Sequence, residues 1–283
     1  MQVYKEQKQI KAELESFRGE HLSIGFVPTM GALHEGHLAL VKEALNQNDK
    51  VVVSIFVNPT QFNNAIDLEK YPRTLQDDVA LLQTLGEDRV VVYAPTVEDI
   101  YGGHIESQQF DFDGLEQEME GKFRPGHFNG VGTVVKRLFE IVAPHKAYFG
   151  KKDFQQLAII KRLVHKYDIP VQIIGCKIQR EPNGLAMSSR NARLTSEQKK
   201  AASFIYQTLT TAKAQFVTKS ADEVTKWVEQ QFSAHEFFEL EYFNIADQDT
   251  LKPIQRKTRQ KSYRAFIAVY ADDIRLIDNI GLN

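Results

Sequence analysis

The chain has little of several things that usually announce a function. Cys176 is the only cysteine among 283 residues, so no intrachain disulfide can form, which suits a reducing cytoplasm. No Cys/His cluster supplies the ligand set of a metal hydrolase. No stretch reaches the ~18 apolar residues of a membrane helix. Residues 1–20 are charged and helical in pattern, with no apolar signal region. There is no charge excess either: 35 basic against 37 acidic residues leave a formal charge of −2. Nucleic-acid binding ordinarily leaves a basic footprint, so neither DNA nor tRNA is an expected partner. Repeats and low-complexity runs are absent. What remains is an ordinary globular composition, 42% hydrophobic and 25% charged, in a chain long enough for one large or two modest domains.

Apolar strands alternate with amphipathic helices through the first two thirds. Strands are predicted at 22–27, 50–57, 89–93, 147–149 and 171–179. Helices are predicted near 35–47, 75–85, 134–142 and 154–167, the third after a glycine-rich stretch at 119–133. In the first helix Leu38, Val41 and Leu45 recur at i, i+3 and i+7. This alternation predicts an α/β fold with a doubly wound, Rossmann-like parallel sheet, its ligands outside the carboxyl ends of the strands. The character then changes to polar helices at 195–219 and 221–234 and short strands at 239–246 and 262–270. We read a Rossmann-like domain over 1–178 and a smaller C-terminal α+β domain over 179–283, with 183–191 resembling a linker.

The most informative motif follows the first predicted strand: Pro28-Thr29-Met30-Gly31-Ala32-Leu33-His34-Glu35-Gly36-His37. A helix N-terminus offers unpaired N–H groups and partial positive charge to a phosphate. Residues at i and i+3 share a helix face, so both imidazoles can address one anion. Gly31 and Gly36 remove Cβ atoms that would hold a nucleotide off the backbone. Metalloprotease helices space their histidines four apart, so a zinc reading fits poorly. The spacing His-x-Gly-His is that of adenylate-forming nucleotidyltransferases, although two solvated histidines would satisfy four residues alone.

Further clusters follow other strands, each with a plain alternative. Asn58 and Gln61 present side-chain amides to a small polar substrate, or cap a loop. Gly150-Lys151-Lys152-Asp153, with Gln155 and Gln156, offers lysine to a triphosphate and a carboxylate to ribose or Mg²⁺, or is a charged turn. Met187-Ser188-Ser189-Arg190 suits a phosphate clamp, since arginine forks onto phosphate oxygens. It loosely resembles the Lys-Met-Ser-Lys-Ser loop of class I synthetases; a serine-capped loop competes. Arg124–Phe128 either closes over substrate or turns the chain, and Arg73 is an anion contact or a surface charge. No serine beside Arg190 has a neighbouring base, so nucleophilic catalysis is not supported.

Taken together, 28–37, 56–62, 71–74, 121–135, 149–157 and 184–193 resemble the pantothenate synthetase (pantoate–β-alanine ligase) family, in order and spacing, over essentially the whole chain. The resemblance implies ATP-dependent condensation of pantoate with β-alanine through a pantoyl adenylate, releasing AMP and pyrophosphate. It also implies a cytoplasmic homodimer using ATP and Mg²⁺. By it, His37 is the general acid and His34 its phosphate-binding companion, with Lys152 and Arg190 completing the catalytic set. Met30, Gly31, Ala32, Leu33, Glu35 and Gly36, then Gly150, Lys151, Asp153 and Gln179, and Met187, Ser188 and Ser189 would contact ATP. Asn58, Gln61 and Gln156 would bind pantoate, Gln61 also lying where β-alanine arrives, and Asp77 would neighbour Mg²⁺. Two departures stand out: Lys151 where many members have Glu or Gln, and Asn183 where Asp is usual. Phosphopantetheine and nicotinate-mononucleotide adenylyltransferases share the histidine motif but lack the Gln61 and Gln156 pair. A non-catalytic nucleotide-binding module would form no AMP.

Overall fold

The computed structural model of the chain describes residues 1–63 and 68–283; part of the polar stretch at 58–74 lies outside them. The described residues group into two compact units. One comprises Met1–Glu116, Gly121–Lys151 and Gln156–Lys177, the other Gln117–Glu120, Lys152–Gln155 and Ile178–Asn283. Two short pieces from before residue 178 thus belong with the C-terminal unit.

Along the chain run β1 (Val3–Tyr4), α1 (Gln7–Gly19), β2 (Ile24–Thr29), α2 (Glu35–Gln47), β3 (Lys50–Ile55), α3 (Leu75–Gln83), β4 (Val90–Tyr93) and α4 (Val97–Tyr101). Then come α5 (Met119–Phe123), α6 (His127–Val142), β5 (Lys146–Gly150), α7 (Phe154–Lys166) and β6 (Gln172–Cys176). The strands make a parallel sheet in the order β1-β4-β3-β2-β5-β6. Val51, Val52 and Val53 are wholly buried, as a central strand covered on both faces requires. The order reverses between β2 and β5, since β3 and β4 lie to one side and β6 to the other. At such a reversal the connections leaving the two strands diverge and open a crevice at their carboxyl ends. Thr29 ends β2 and Gly150 ends β5, so the histidine motif and the Gly150–Lys151 turn leave from either side of it.

Helix α6 starts at His127, seven residues before the predicted start at 134. Gly130 and Gly132 of the glycine-rich stretch are helical. A Cβ on Gly130 would lie 2.2 Å from the carbonyl oxygen of Thr60, and one on Gly132 would lie 3.0 Å from the Phe110 and Phe112 rings. Glycine here permits close approach and does not break the helix. Strand β6 ends at Cys176, leaving Gln179 outside it.

The second unit holds α8 (Ser196–Ala201), α9 (Ser203–Phe216) and α10 (Ala221–Phe232), then β7 (Glu239–Asp247), β8 (Tyr263–Ala271) and β9 (Ile274–Gly281). The predicted helix 195–219 is two helices. The strands form an antiparallel sheet in chain order. Ile205, Leu209, Val224 and Val228 pack with Ile267, Val269 and Leu276 as its core. Strand β9 escapes prediction because Asp278 and Asn279, both buried, interrupt the apolar alternation. The region read as a linker, 183–191, is ordered: Arg180 bridges Ala186, and Ser189–Arg193 forms a 3₁₀ turn. Arg275 forks onto both carboxylate oxygens of Glu120 at 2.7 Å and also reaches Glu241. The Tyr242 hydroxyl donates to Glu120 at 2.7 Å. Gln155 accepts the Glu120 N–H and donates to the Glu118 carbonyl. These bonds seat Gln117–Glu120 in this unit, since breaking a buried pair leaves uncompensated charge.

Asp247, at the end of β7, organises the turn that follows. Its Oδ1 accepts from the N–H groups of Asp249 and Thr250, at 3.1 and 3.0 Å, and Lys261 Nζ lies 2.8 Å from Oδ2. Burial raises the pKa of this carboxyl, but Lys261 and the turn donors outweigh it and hold the pKa at about 2, against an ordinary 3.8. A depressed folded-state pKa stabilises the fold above the unfolded value and loses that contribution as pH falls through the folded one. Urea unfolding across pH should show Asp247→Asn less stable than the wild type at neutral pH. The gap should narrow between about pH 4 and pH 2; a pH-independent gap would contradict this role.

Candidate active site

The turn leaving β2 is built from the carboxyl ends of β2 and β3 and the first turn of α3. Thr29 Oγ1 donates to the Ser54 carbonyl at 2.7 Å and accepts the Gly31 N–H at 3.2 Å. Gly31 has φ +84°, and a Cβ there would lie 3.0 Å from Asp78 Oδ2 and 3.1 Å from Ile55 Cγ2. Ala32 follows at φ +49°, a conformation that costs an L-residue energy and persists only where its surroundings impose it. Asp78 imposes it. This carboxylate, 2% exposed, accepts the Ala32 N–H at 3.0 Å and the Leu33 N–H at 2.7 Å, with the Thr74 hydroxyl donating to it at 3.2 Å.

The two histidines then meet, though not as two residues of one helix. His34 is the N-cap of α2, with extended backbone, and its Nδ1 accepts the Gly36 N–H at 3.1 Å. The His34 N–H in turn donates to His37 Nδ1 at 3.3 Å. The ring centroids stand 4.1 Å apart. This reciprocal cap satisfies helix-start donors. It also selects a tautomer: with both Nδ1 atoms accepting, each neutral ring carries its proton on Nε2. Both imidazoles are thereby set as Nε2–H donors, the polarity a phosphate oxygen requires.

The amide pair follows β3. Asn58 caps the 3₁₀ turn Pro59–Gln61. Its Oδ1 accepts from the Tyr101 hydroxyl at 2.6 Å, and its Nδ2 donates to Gln61 Oε1 and to the Gly130 carbonyl, both at 3.2 Å. The Gln61 Nε2 donates to Met30 Sδ at 2.6 Å, so the histidine turn and the amide pair are in direct contact. Thioether sulfur is a weak acceptor, and an oxygen ligand in its place would strengthen that bond. The Gln61 carbonyl accepts from Arg124 Nη2 at 3.1 Å and from His127 Nδ1 at 2.8 Å. Arg124 and His127, which the sequence left as closing residues or a chain turn, therefore anchor this turn. Arg73 donates to the carbonyls of Leu68, Glu69 and Tyr71.

Gly150 closes β5, and Gln156 lies in the first turn of α7, in the same unit as the histidines. Lys151 is half-buried there, its chain passing over Gly175. Glu35 and Asp77 are exposed; Asp78, the next residue, is the carboxylate that reaches the turn. Sequence reasoning missed Asp78, although an acid on the inward face of an amphipathic helix was its visible signal. Thr29 and Tyr101 gave no comparable sign.

The second unit carries the other sequence-predicted residues. Lys152 Nζ lies 3.5 Å from Asp153 Oδ1. The Gln179 carbonyl accepts the Met187 N–H at 3.0 Å, and Ser188 caps the 3₁₀ turn by accepting the Arg190 N–H at 3.3 Å. Asn191 ties this loop down through the Ala186 carbonyl and Glu181. Asn183 accepts the Leu185 N–H and donates its amide to the Lys199 carbonyl at 2.8 Å. Aspartate could not make that second bond, which is what asparagine contributes there.

A family model described as pantoate-beta-alanine ligase matches residues 2–281. The chain belongs to that family. Pantoate-beta-alanine ligase relatives named pantothenate synthetase include one from Flavobacterium psychrophilum, 59% identical, and one from Christiangramia forsetii, 56% identical, each with 100% of both chains covered. The crystal structure of pantothenate synthetase from Thermus thermophilus superposes with a TM-score of 0.90 at 39% identity, covering 100% of this chain and 99% of that one. That of a pantoate-beta-alanine ligase from Francisella tularensis, complexed with beta-gamma ATP and β-alanine, gives 0.80 at 37% identity, covering 100% and 98%.

The close approach at Gly130 has a measurable consequence. Gly130→Ala should displace the Pro59–Gln61 turn, because no Cβ fits 2.2 Å from the Thr60 oxygen. With circular dichroism unchanged, the KM for pantoate should rise about tenfold or more, the cost of about one well-placed hydrogen bond. An unchanged KM in the folded variant would contradict this role for the helix.

Proposed function

We propose that this chain carries out the pantoate–β-alanine ligase reaction with the histidine turn receiving ATP and the amide pair receiving pantoate. The direct contact of Gln61 with Met30 carries this reading, because it puts the polar substrate pocket against the nucleotide turn. A carboxylate oxygen of pantoate attacks the α-phosphorus, the bond to pyrophosphate breaks, and pantoyl adenylate forms. His34 and His37 meet charge building on the phosphoryl oxygens through their Nε2–H groups, and the general-acid role of His37 belongs to its imidazolium form, since a neutral ring that gave up its Nε2 proton would be left as an anion. The amine of β-alanine then attacks the acyl carbon, loses a proton, and AMP departs. Holding adenylate and amine together supplies proximity.

From the second unit, Lys152, Ser188, Ser189 and Arg190 are the phosphate contacts of this reading, with Asp153 on the ribose and Gln179 near the adenine. Gly150 and Lys151 line the nucleotide, and Gln156 joins Gln61 and Asn58 on pantoate. Among the described residues no group of three His, Cys, Asp or Glu side chains could cage a metal. Mg²⁺ in this reading would be held mostly through phosphates, waters and one or two carboxylates. Asp77 is the carboxylate this reading assigns to it, and the ion would supply charge neutralisation on the triphosphate. No helix among the described residues is long and apolar enough to cross a membrane. A cytoplasmic homodimer is the setting this reading carries, and light scattering reads the subunit number.

The decisive assay is pyrophosphate exchange into ATP. It should require pantoate and not β-alanine, while AMP accumulation should require both; exchange without pantoate would overturn the reading. Lys152→Ala should slow exchange by about a hundredfold or more, the loss typical of a charge-stabilising donor. Near-normal exchange in the folded variant would remove Lys152 from the role. Gln61→Ala should raise KM for pantoate and β-alanine about tenfold, and unchanged constants for both would count against it.

A further inference from the structure

Two adjacent residues of β9, Asp278 and Asn279, are 4% and 2% exposed, in a sheet that packs against an apolar core. Buried polar groups need a reason to be there. Successive residues of a strand point to opposite faces, and these two reach different segments of the second unit. Asn279 Nδ2 donates to the backbone carbonyl of Lys152 at 2.7 Å. Its Oδ1 accepts from Arg264 Nη1 at 2.6 Å, and the Arg264 guanidinium lies 4.2 Å from the Phe154 ring centre. The turn bearing Lys152 is therefore fixed on its main chain.

Asp278 binds Arg180 in a fork at 2.6 and 3.0 Å. The Arg180 guanidinium stacks 3.7 Å from the Tyr206 ring centre and donates to the Gly184 carbonyl at 3.0 Å. The Arg180 backbone bridges Ala186, and the neighbouring Gln179 carbonyl accepts the Met187 N–H. Arg180 is thus the root of the loop that presents Ser188, Ser189 and Arg190. Planar fork pairs of this kind fix orientation as well as position.

We propose that Asp278 and Asn279 are positioning residues for ATP, one strand setting both phosphate-binding segments of the second unit. The proposal rests on the reading of Lys152 and Arg190 as phosphate contacts. It assigns to β9 a task that substrate contact alone would not reveal, since neither side chain needs to touch substrate. A strand rigidly paired along Arg264–Ala271 cannot shift one segment without the other, so their spacing is held to that of the sheet.

Asn279→Asp keeps the shape and an acceptor for Arg264 but cannot donate to Lys152; Asn279→Ala removes both bonds. Each should raise the KM for ATP in pantoate-dependent exchange about tenfold, the worth of about one buried hydrogen bond. Aminolysis of chemically prepared pantoyl adenylate by β-alanine, which involves no triphosphate, should stay within about twofold. In a Lys152→Ala background the Asn279 changes should add little, because residues acting through one group are not additive. Equal loss in both half-reactions, unchanged ATP dependence, multiplicative loss in the double variant, or failure of both variants to fold would each overturn the proposal. The two readings separate cleanly. A silent Lys152→Ala removes the underlying assignment, whereas a damaged Lys152→Ala beside silent Asn279 variants removes only the role of β9.

Discussion

The Asp78 carboxylate is the interaction on which the candidate active site depends. It accepts two successive N–H groups, from Ala32 and Leu33, and so holds a non-glycine residue in the left-handed region. That conformation turns the chain sharply enough after β2 for His34 to arrive as the cap of α2. Buried carboxylates are stable where N–H donors surround them, and α3 supplies Asp78 from its inward face. The parallel sheet provides the place, a strand-order reversal between β2 and β5. Asp78 provides the shape of the turn that leaves it.

From this constraint the polarity of the histidine turn follows. The cap bonds of His34 and His37 set the tautomer of both rings. With both Nδ1 atoms accepting backbone N–H groups, the Nε2 sides of the rings are left to donate. On the opposite side of Met30, the amides of Asn58 and Gln61 are tied to each other, to Tyr101, and through the Gln61 carbonyl to Arg124 and His127. The amide pair and the histidine turn share one wall because Gln61 and Met30 touch.

Much of this was legible in the sequence. Hydrophobic periodicity located the strands and helices of the parallel sheet, and the spacing of His34 and His37 pointed to phosphate. Three kinds of feature were not legible. Gly130 and Gly132 fell outside the predicted helix because their use is close approach, and the partners, Thr60 and Phe110, are distant in sequence. Strand β9 carries two buried polar residues whose partners, Arg180 and Lys152, are equally distant. Asp78 was missed, because a carboxylate's role depends on which face of α3 it occupies, and Asp78 faces inward.

The central claim is that the carboxylate of pantoate is activated by bonding to the α-phosphorus of ATP. Turnover with pantoate carrying heavy-isotope oxygen in its carboxylate tests this most directly, read by mass spectrometry of the products. The account predicts one labelled oxygen transferred to the phosphate of AMP, with pyrophosphate unlabelled. Unlabelled AMP, or label appearing in inorganic phosphate, would mean activation at another phosphorus and would contradict it.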